Sequence, residues 1–137
     1  MKICVNLNLL KKITRGGNKM IGKKIWTISD GFMSSTENGG YVSHEAVCVL
    51  NATQSVANIE ITVFFEDREP LKGLYVKCDS MRTNHIRLDK ISNKKGETIP
   101  KDKPYALLVE SDVEIVVQHS RMDVSQAEMT LMTTMAY

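Results

Sequence analysis

Residues 57–66 read ANIEITVFFE, with Ala57, Ile59, Ile61, Val63 and Phe65 on one face and Asn58, Glu60, Thr62 and Glu66 on the other. A repeat of two is the signature of a half-buried strand, because successive side chains point to opposite sides of a sheet. A slip of one residue would bury the glutamates, so the pairing register is well specified. The same period predicts a strand in KIWTIS (24–29), where Ile25, Thr27 and Ser29 oppose Trp26 and Ile28. HEAVCVLN (44–51) predicts another, with either Ala46, Cys48 and Leu50 or Val47 and Val49 turned to the core. LYVKCD (74–79) follows, then TNHIRLDK (83–90), where Thr83, His85, Arg87 and Asp89 oppose Asn84, Ile86 and Leu88. YALLVE (105–110) and EIVVQH (114–119) are expected to be two strands joined, hairpin-like, by Ser111-Asp112-Val113. The tail AEMTLMTTMAY alternates as well and is read as a strand, although Met129, Met132 and Met135 also fall at helical spacing.

Breakers separate these runs: Ser34–Gly40, Arg68–Gly73 and the polar stretch Ser92–Pro104. Short strands without intervening helical periods predict an all-β fold, an antiparallel β-sandwich of about eight strands. The 137 residues suffice for one domain with a sizeable core. No apolar run approaches the roughly 20 residues of a membrane-spanning helix. Three dispersed cysteines, Cys4, Cys48 and Cys78, argue against a disulfide scaffold and fit a reducing cytoplasm.

Charge divides the chain. Residues 1–19 hold five basic side chains and no acid, leaving thirteen basic against sixteen acidic in the remainder. The remainder thus lacks the electrostatic footprint of a nucleic-acid binder. A DNA- or membrane-contacting arm and an export signal are alternatives for residues 1–19. The run Leu7–Leu10 is broken by Asn8 and followed by Lys11-Lys12, which disfavours the signal. The expectation adopted is a basic leader over 1–19, disordered or not native, with the true start at Met20 and a single sandwich domain over 20–137.

Chemistry is sparse. His44, His85 and His119, with Glu45 beside the first, lack the close spacing of a zinc site, so neither a metal nor another cofactor is expected. Cys48 lies in an apolar strand, where a buried thiol is inert, and Ser120 points away from its neighbour His119. No catalytic residue is assigned. In the turn FFEDREP (64–70) the acids fit local ion pairs before the proline stop. Arg68, with its rigid donor fork, could hold a carboxylate across the sheet edge or a partner's acid, with Glu69 kept beside it as a candidate. If Val117 faces inward, so do His119 and Arg121, and a buried arginine needs an acid, with Asp123, Glu110 or Asp30 as candidates. The candidate interface or ligand residues are therefore Arg68, Glu69, His119, Arg121 and Asp123, and more weakly His44, Glu45 and His85.

Four stretches together resemble the sensory rhodopsin transducer family: GKKIWTISDGF (22–32), SHEAVCVLN (43–51), ITVFFEDREP (61–70) and VESDVEIVVQHSRMDVSQAEMTLMTTMAY (109–137). Glu114 stands where the family tends to have proline, and the 33–40 loop carries none. The resemblance implies a small cytoplasmic bacterial sandwich of jelly-roll type, similar to carbohydrate-binding modules and without catalytic activity. It further implies a homotetramer that relays a signal from a membrane-embedded receptor of rhodopsin type, met at its cytoplasmic face. The alternative function is a soluble module for a sugar or other small polar ligand. Of its aromatic candidates, Trp26, Tyr41, Tyr75 and Tyr105, the first is expected to be buried.

Overall fold

The computed structural model describes residues 20–137, so the leader expected over 1–19 falls outside the described residues. The described strands are β1 (Lys23–Gly31), β2 (Glu37–Asn38), β3 (Tyr41–Val42), β4 (His44–Asn51), β5 (Ala57–Phe65), β6 (Leu71–Cys78), β7 (Arg82–Arg87), β8 (Tyr105–Asp123) and β9 (Thr130–Met135). Two of the nine, β2 and β3, are a two-residue hairpin whose turn glycines Gly39 and Gly40 both have positive φ, as a tight hairpin turn demands.

Every long strand is antiparallel, and β8 organises them. Its first half pairs with β5, from Phe65↔Tyr105 to Ile59↔Ser111, and with β1, from Gly31↔Tyr105 to Ile25↔Glu110. Its second half pairs with β4, from Leu50↔Val116 to His44↔Met122, and with β9, from Gln118↔Met135 to Asp123↔Thr130. Adding β6 beside β5 and β7 beside β4 yields two four-stranded sheets, β6-β5-β8-β1 and β7-β4-β8-β9, with β8 common to both. The all-β antiparallel sandwich expected from the alternation is the observed architecture.

The Ser111-Asp112-Val113 hairpin is a correction. That stretch contains neither glycine nor proline, and alternation runs through it: Tyr105, Leu107, Val109, Ile115, Val117 and His119 are buried, Ser111 and Val113 between them are half-buried, and Asp112 is exposed. The two halves do not pair with each other. They lie in opposite sheets, and the strand turns a corner between them. A straight strand would separate Tyr105 from Arg121 by roughly 50 Å, yet both bond to Glu45, so β8 doubles back across the core.

The face that β4 turns inward is also settled: Val47 and Val49, together with Glu45 and Asn51. Cys48 consequently sits half-buried on the outer face, not in the core, with Sγ 3.6 Å from Ser120 Oγ. Trp26 is buried, its indole N–H shared between the carbonyls of Ile115 (2.9 Å) and Lys23 (3.0 Å). The run 83–90 ends as a strand at Arg87. Leu88–Lys90 forms a 3-10 turn, with Arg87 forked onto the Asp89 carboxylate at 2.8 Å to each oxygen while Leu88 stays in the core. Asn51 ties the β4–β5 connection to the end of β6, donating to the carbonyls of Ser55 (2.8 Å) and Cys78 (3.0 Å).

The last residues cross from one sheet to the other. Ala136 N–H donates to Val117 O at 3.2 Å, beside β8, whereas Tyr137 pairs with Thr27 of β1 through main-chain bonds in both directions. One rim of the sandwich is thus bridged by the tail.

Gly31 lies under the Tyr105 ring, where a Cβ would collide with the ring edge. Gly31→Ala is expected to destabilise the protein by about 1–3 kcal/mol through overpacking, read as a lower urea midpoint with an unchanged m-value.

Candidate functional site

At one end of the sandwich a carboxylate is sealed inside. Glu45 is fully buried (0% exposed) because it shares the inward parity of Val47 and Val49. Four groups converge on it. Arg121 Nε donates to Oε1 at 2.6 Å, and the Phe32 backbone N–H donates to the same oxygen at 3.0 Å. The Tyr105 hydroxyl donates to Oε2, and His119 Nε2 stands 3.1 Å from that oxygen. The imidazole and the carboxylate are both buried and face each other at pairing distance, and this contact helps to hold the Glu45 charge. Arg121 reaches outward as well, to the Asp30 carbonyl at 3.3 Å and carboxylate at 3.4 Å.

The electrostatics follow from these contacts. Burial pushes the Glu45 carboxyl up, but the bonds from His119, Phe32, Tyr105 and Arg121 together outweigh it and hold the group below its ordinary value. Burial pulls Arg121 down, and its bonds to Glu45 and Asp30 more than reverse that. Burial first, then the neighbouring Glu45 charge, drives the Tyr105 phenol far above its ordinary value. Glu45 is therefore anionic, Arg121 cationic and Tyr105 a neutral donor across the physiological range.

Of the residues picked from the sequence, the fold gathers His119, Arg121 and Glu45. The partner of Arg121 is chiefly Glu45, with Asp30 second. Asp123 instead accepts from the Ser125 N–H at 2.8 Å, and Glu110 lies elsewhere, opposite Glu60. Arg68 forks onto its neighbour Asp67 at 2.9 and 3.2 Å, exposed and local, and Glu69 is exposed beside it. His44 hydrogen-bonds the Val42 carbonyl at 2.8 Å, and His85 is exposed opposite Cys48 on the outer face. Tyr105 entered the sequence reading only as an aromatic, and Glu45 only weakly. Their signal was parity: once Val47 and Leu107 are inward, Glu45 and Tyr105 must be too.

Among the described residues no three His, Cys, Asp or Glu side chains gather within metal-binding reach, and no hydroxyl or thiol hydrogen-bonds His119. The geometry is that of a neutralised ionic lock at a strand terminus, with one imidazole held at its edge. A groove of about 440 Å³ between β1 and β9 reaches that imidazole.

Because the folded pKa of Glu45 lies below its unfolded value, its contribution to stability is complete above the unfolded value and fades as pH falls through the folded one. The wild-type protein is expected to lose stability from about pH 5 downward, and Glu45→Gln to show a flatter profile there. At pH 7 Glu45→Gln should be about 3–5 kcal/mol less stable, since it leaves Arg121 without its buried counter-charge. Urea midpoints at three pH values measure both effects.

The comparisons with known proteins bear on the whole arrangement. No curated protein matches the chain. Among solved structures, a crystal structure of Thermotoga maritima 1070 is 41% identical, with a TM-score of 0.77, and the match covers 86% of this chain and 96% of that one. The Anabaena sensory rhodopsin transducer is 38% identical, with a TM-score of 0.68 over 80% of this chain and 96% of that one. A family model described as the Anabaena sensory rhodopsin transducer matches residues 21–137, which takes in both sheets, the buried Glu45 lock and the crossing tail. The chain belongs to the Anabaena sensory rhodopsin transducer family.

Proposed function

We propose that the protein is a non-enzymatic, cytoplasmic signal relay that assembles with copies of itself, as a homotetramer, and meets a membrane-embedded receptor of rhodopsin type. Family membership supports the relay. Among the described residues no helix is long and apolar enough to cross a membrane, so contact with the bilayer is assigned to the receptor.

The observation that carries the assembly is β9. All six of its residues are exposed, Leu131 by 75%, on a strand that pairs only with β8 and presents its other edge to solvent. Leu131 and Met135 share the outer face with Met122, opposite Leu131, and Leu50, opposite Val116. An uncovered apolar strand edge invites pairing with another chain, and natural proteins blunt such edges or use them. No charge, proline or bulge blunts Thr130–Met135. A symmetric assembly covers the edge in every subunit at once. Methionines on that face suit contacts that repack as the relay changes state.

Two measurements test the reading. Light scattering after gel filtration is expected to give a tetramer for the wild type and smaller species for Leu131→Glu. The variant should keep its fold, because Leu131 is exposed in the single subunit. A wild-type monomer at micromolar concentration would remove the assembly. Immobilised protein should also retain a membrane protein with visible retinal absorbance from detergent-solubilised membranes of its host, and repeated failure would remove the receptor.

A further inference from the structure

The outer face of the β6-β5-β8-β1 sheet carries a row of side chains set by the pairing register. Ile25 of β1 stands opposite Glu110 of β8, Glu110 opposite Glu60 of β5, and Glu60 opposite Tyr75 of β6. Residues directly opposite one another in an antiparallel pair point to the same side of the sheet. The row therefore reads apolar, acid, acid, aromatic, with Ile25 58% and Tyr75 61% exposed at its two ends. A hollow of about 540 Å³ lies along it, beside Tyr75 and the two glutamates, and reaches Asp112.

The two glutamates are the anomaly. Like charges placed directly opposite across a strand pair are destabilising, and the ion pairs of the described residues all lie elsewhere. Lys77 lines the same hollow, opposite Asn58, and pairs with neither glutamate. Lys23, at the start of β1, is held over the Trp26 ring at 4.5 Å. The third acid, Asp112, is already bound by Asn58 through backbone and side chain. A repulsion left standing on an exposed face, between two uncovered hydrophobic side chains, marks a surface shaped for something outside the subunit.

A guanidinium fits the hollow best. Its planar fork carries donors enough for two carboxylates, and its face can stack on the Tyr75 ring. Leu108 and the exposed Phe64 continue the same face beyond Glu110 and Glu60. Those side chains need an apolar flank, which a polypeptide segment brings and a free cation does not. Lipid is a poor occupant, because the cytoplasmic leaflet is anionic and repels an acidic face. The cytoplasmic loops of membrane proteins carry an excess of Arg and Lys, which is the complement of this one.

We propose that the outer face of the β6-β5-β8-β1 sheet is the docking surface for the receptor, and that an arginine from one of its cytoplasmic loops enters the hollow between Glu60, Glu110 and Tyr75. The inference rests on the relay reading and names the surface through which the relay meets its partner. Because β9 belongs to the other sheet, docking here and self-assembly there use different surfaces.

The test uses the full chain and two probes. The first is a fluorescent synthetic peptide, Gly-Ser-Leu-Arg-Leu-Arg-Ser-Gly, followed by anisotropy, with a second peptide in which glutamine replaces both arginines. The arginine peptide should bind saturably and more weakly as salt rises, and the glutamine peptide should not bind. Glu60→Gln, Glu110→Gln and Tyr75→Ala should each weaken binding about two- to fivefold. Glu37→Gln, at the exposed acid of β2, should leave it unchanged. Both glutamine variants should show a urea midpoint equal to or above that of the wild type, since each relieves the repulsion, so weaker binding cannot come from unfolding. The second probe is the retinal-bearing membrane protein from detergent-solubilised host membranes, which the wild type should retain and Glu60→Gln/Glu110→Gln should release. No binding of the arginine peptide, equal binding of the glutamine peptide, an equal loss in Glu37→Gln, a lowered midpoint in Glu110→Gln, or full retention by the double variant each overturns the proposal. If the wild type retains no receptor while the arginine peptide binds through Glu60 and Glu110, the relay reading and the receptor fall together, and the surface remains as one for a basic segment of another protein.

Discussion

A carboxylate shut away from water must be neutralised where it stands, and much of this molecule is arranged to do so for Glu45. Removing such a charge from water costs several kcal/mol unless donors surround it. Here the donors come from three places: the end of β1 through Phe32, the start of β8 through Tyr105, and the end of β8 through Arg121 and His119. Meeting at one carboxylate fixes how far the two sheets stand apart and how far β8 must turn. Hydrophobic burial supplies the bulk of the driving force, as in any sandwich. The Glu45 contacts add specificity, because Ile, Val and Leu pack in many registers and a forked arginine on a carboxylate accepts few.

The same end of the molecule carries the features of functional interest. Arg121 and His119 pair across the ladder with Met132 and Thr134, so the ionic lock lies directly behind β9. One face of β9 looks towards the lock and the groove, and the other, with Leu131 and Met135, looks outward. A change at either face is felt at the other across a single thickness of sheet.

Alternation in the sequence was enough to place most strands and the inward face of ANIEITVFFE, since Asn58, Glu60 and Glu66 on the other face leave one choice. It left two choices in HEAVCVLN, where Ala46, Cys48 and Leu50 are as apolar as Val47 and Val49. Cross-strand partners decide that question, and a local window does not contain them. The corner in β8 was misread for a related reason: Ser111-Asp112-Val113 is polar enough to pass for a turn, yet its alternation is intact, and only the strands on either side show that the chain changes sheets. Asn58 takes hold of Asp112 there, donating from its backbone and its side chain at 2.8 and 2.6 Å, a contact 54 residues away in sequence. The inward direction of His119 and Arg121 followed from Val117. Their chief partner, Glu45, was hidden because its own direction hung on the undecided face of β4.

A strand that serves two sheets leaves the molecule without a seam. Peeling β1 or β5 away disturbs the first half of β8, and the second half holds β4 and β9 through the same unbroken backbone. No layer can detach while the other survives intact, so partial opening is confined to the edge strands β1, β6, β7 and β9 and to the small β2–β3 hairpin. Backbone amides along β8 will then be the last to trade their hydrogens with solvent, and the whole domain will come apart in one step.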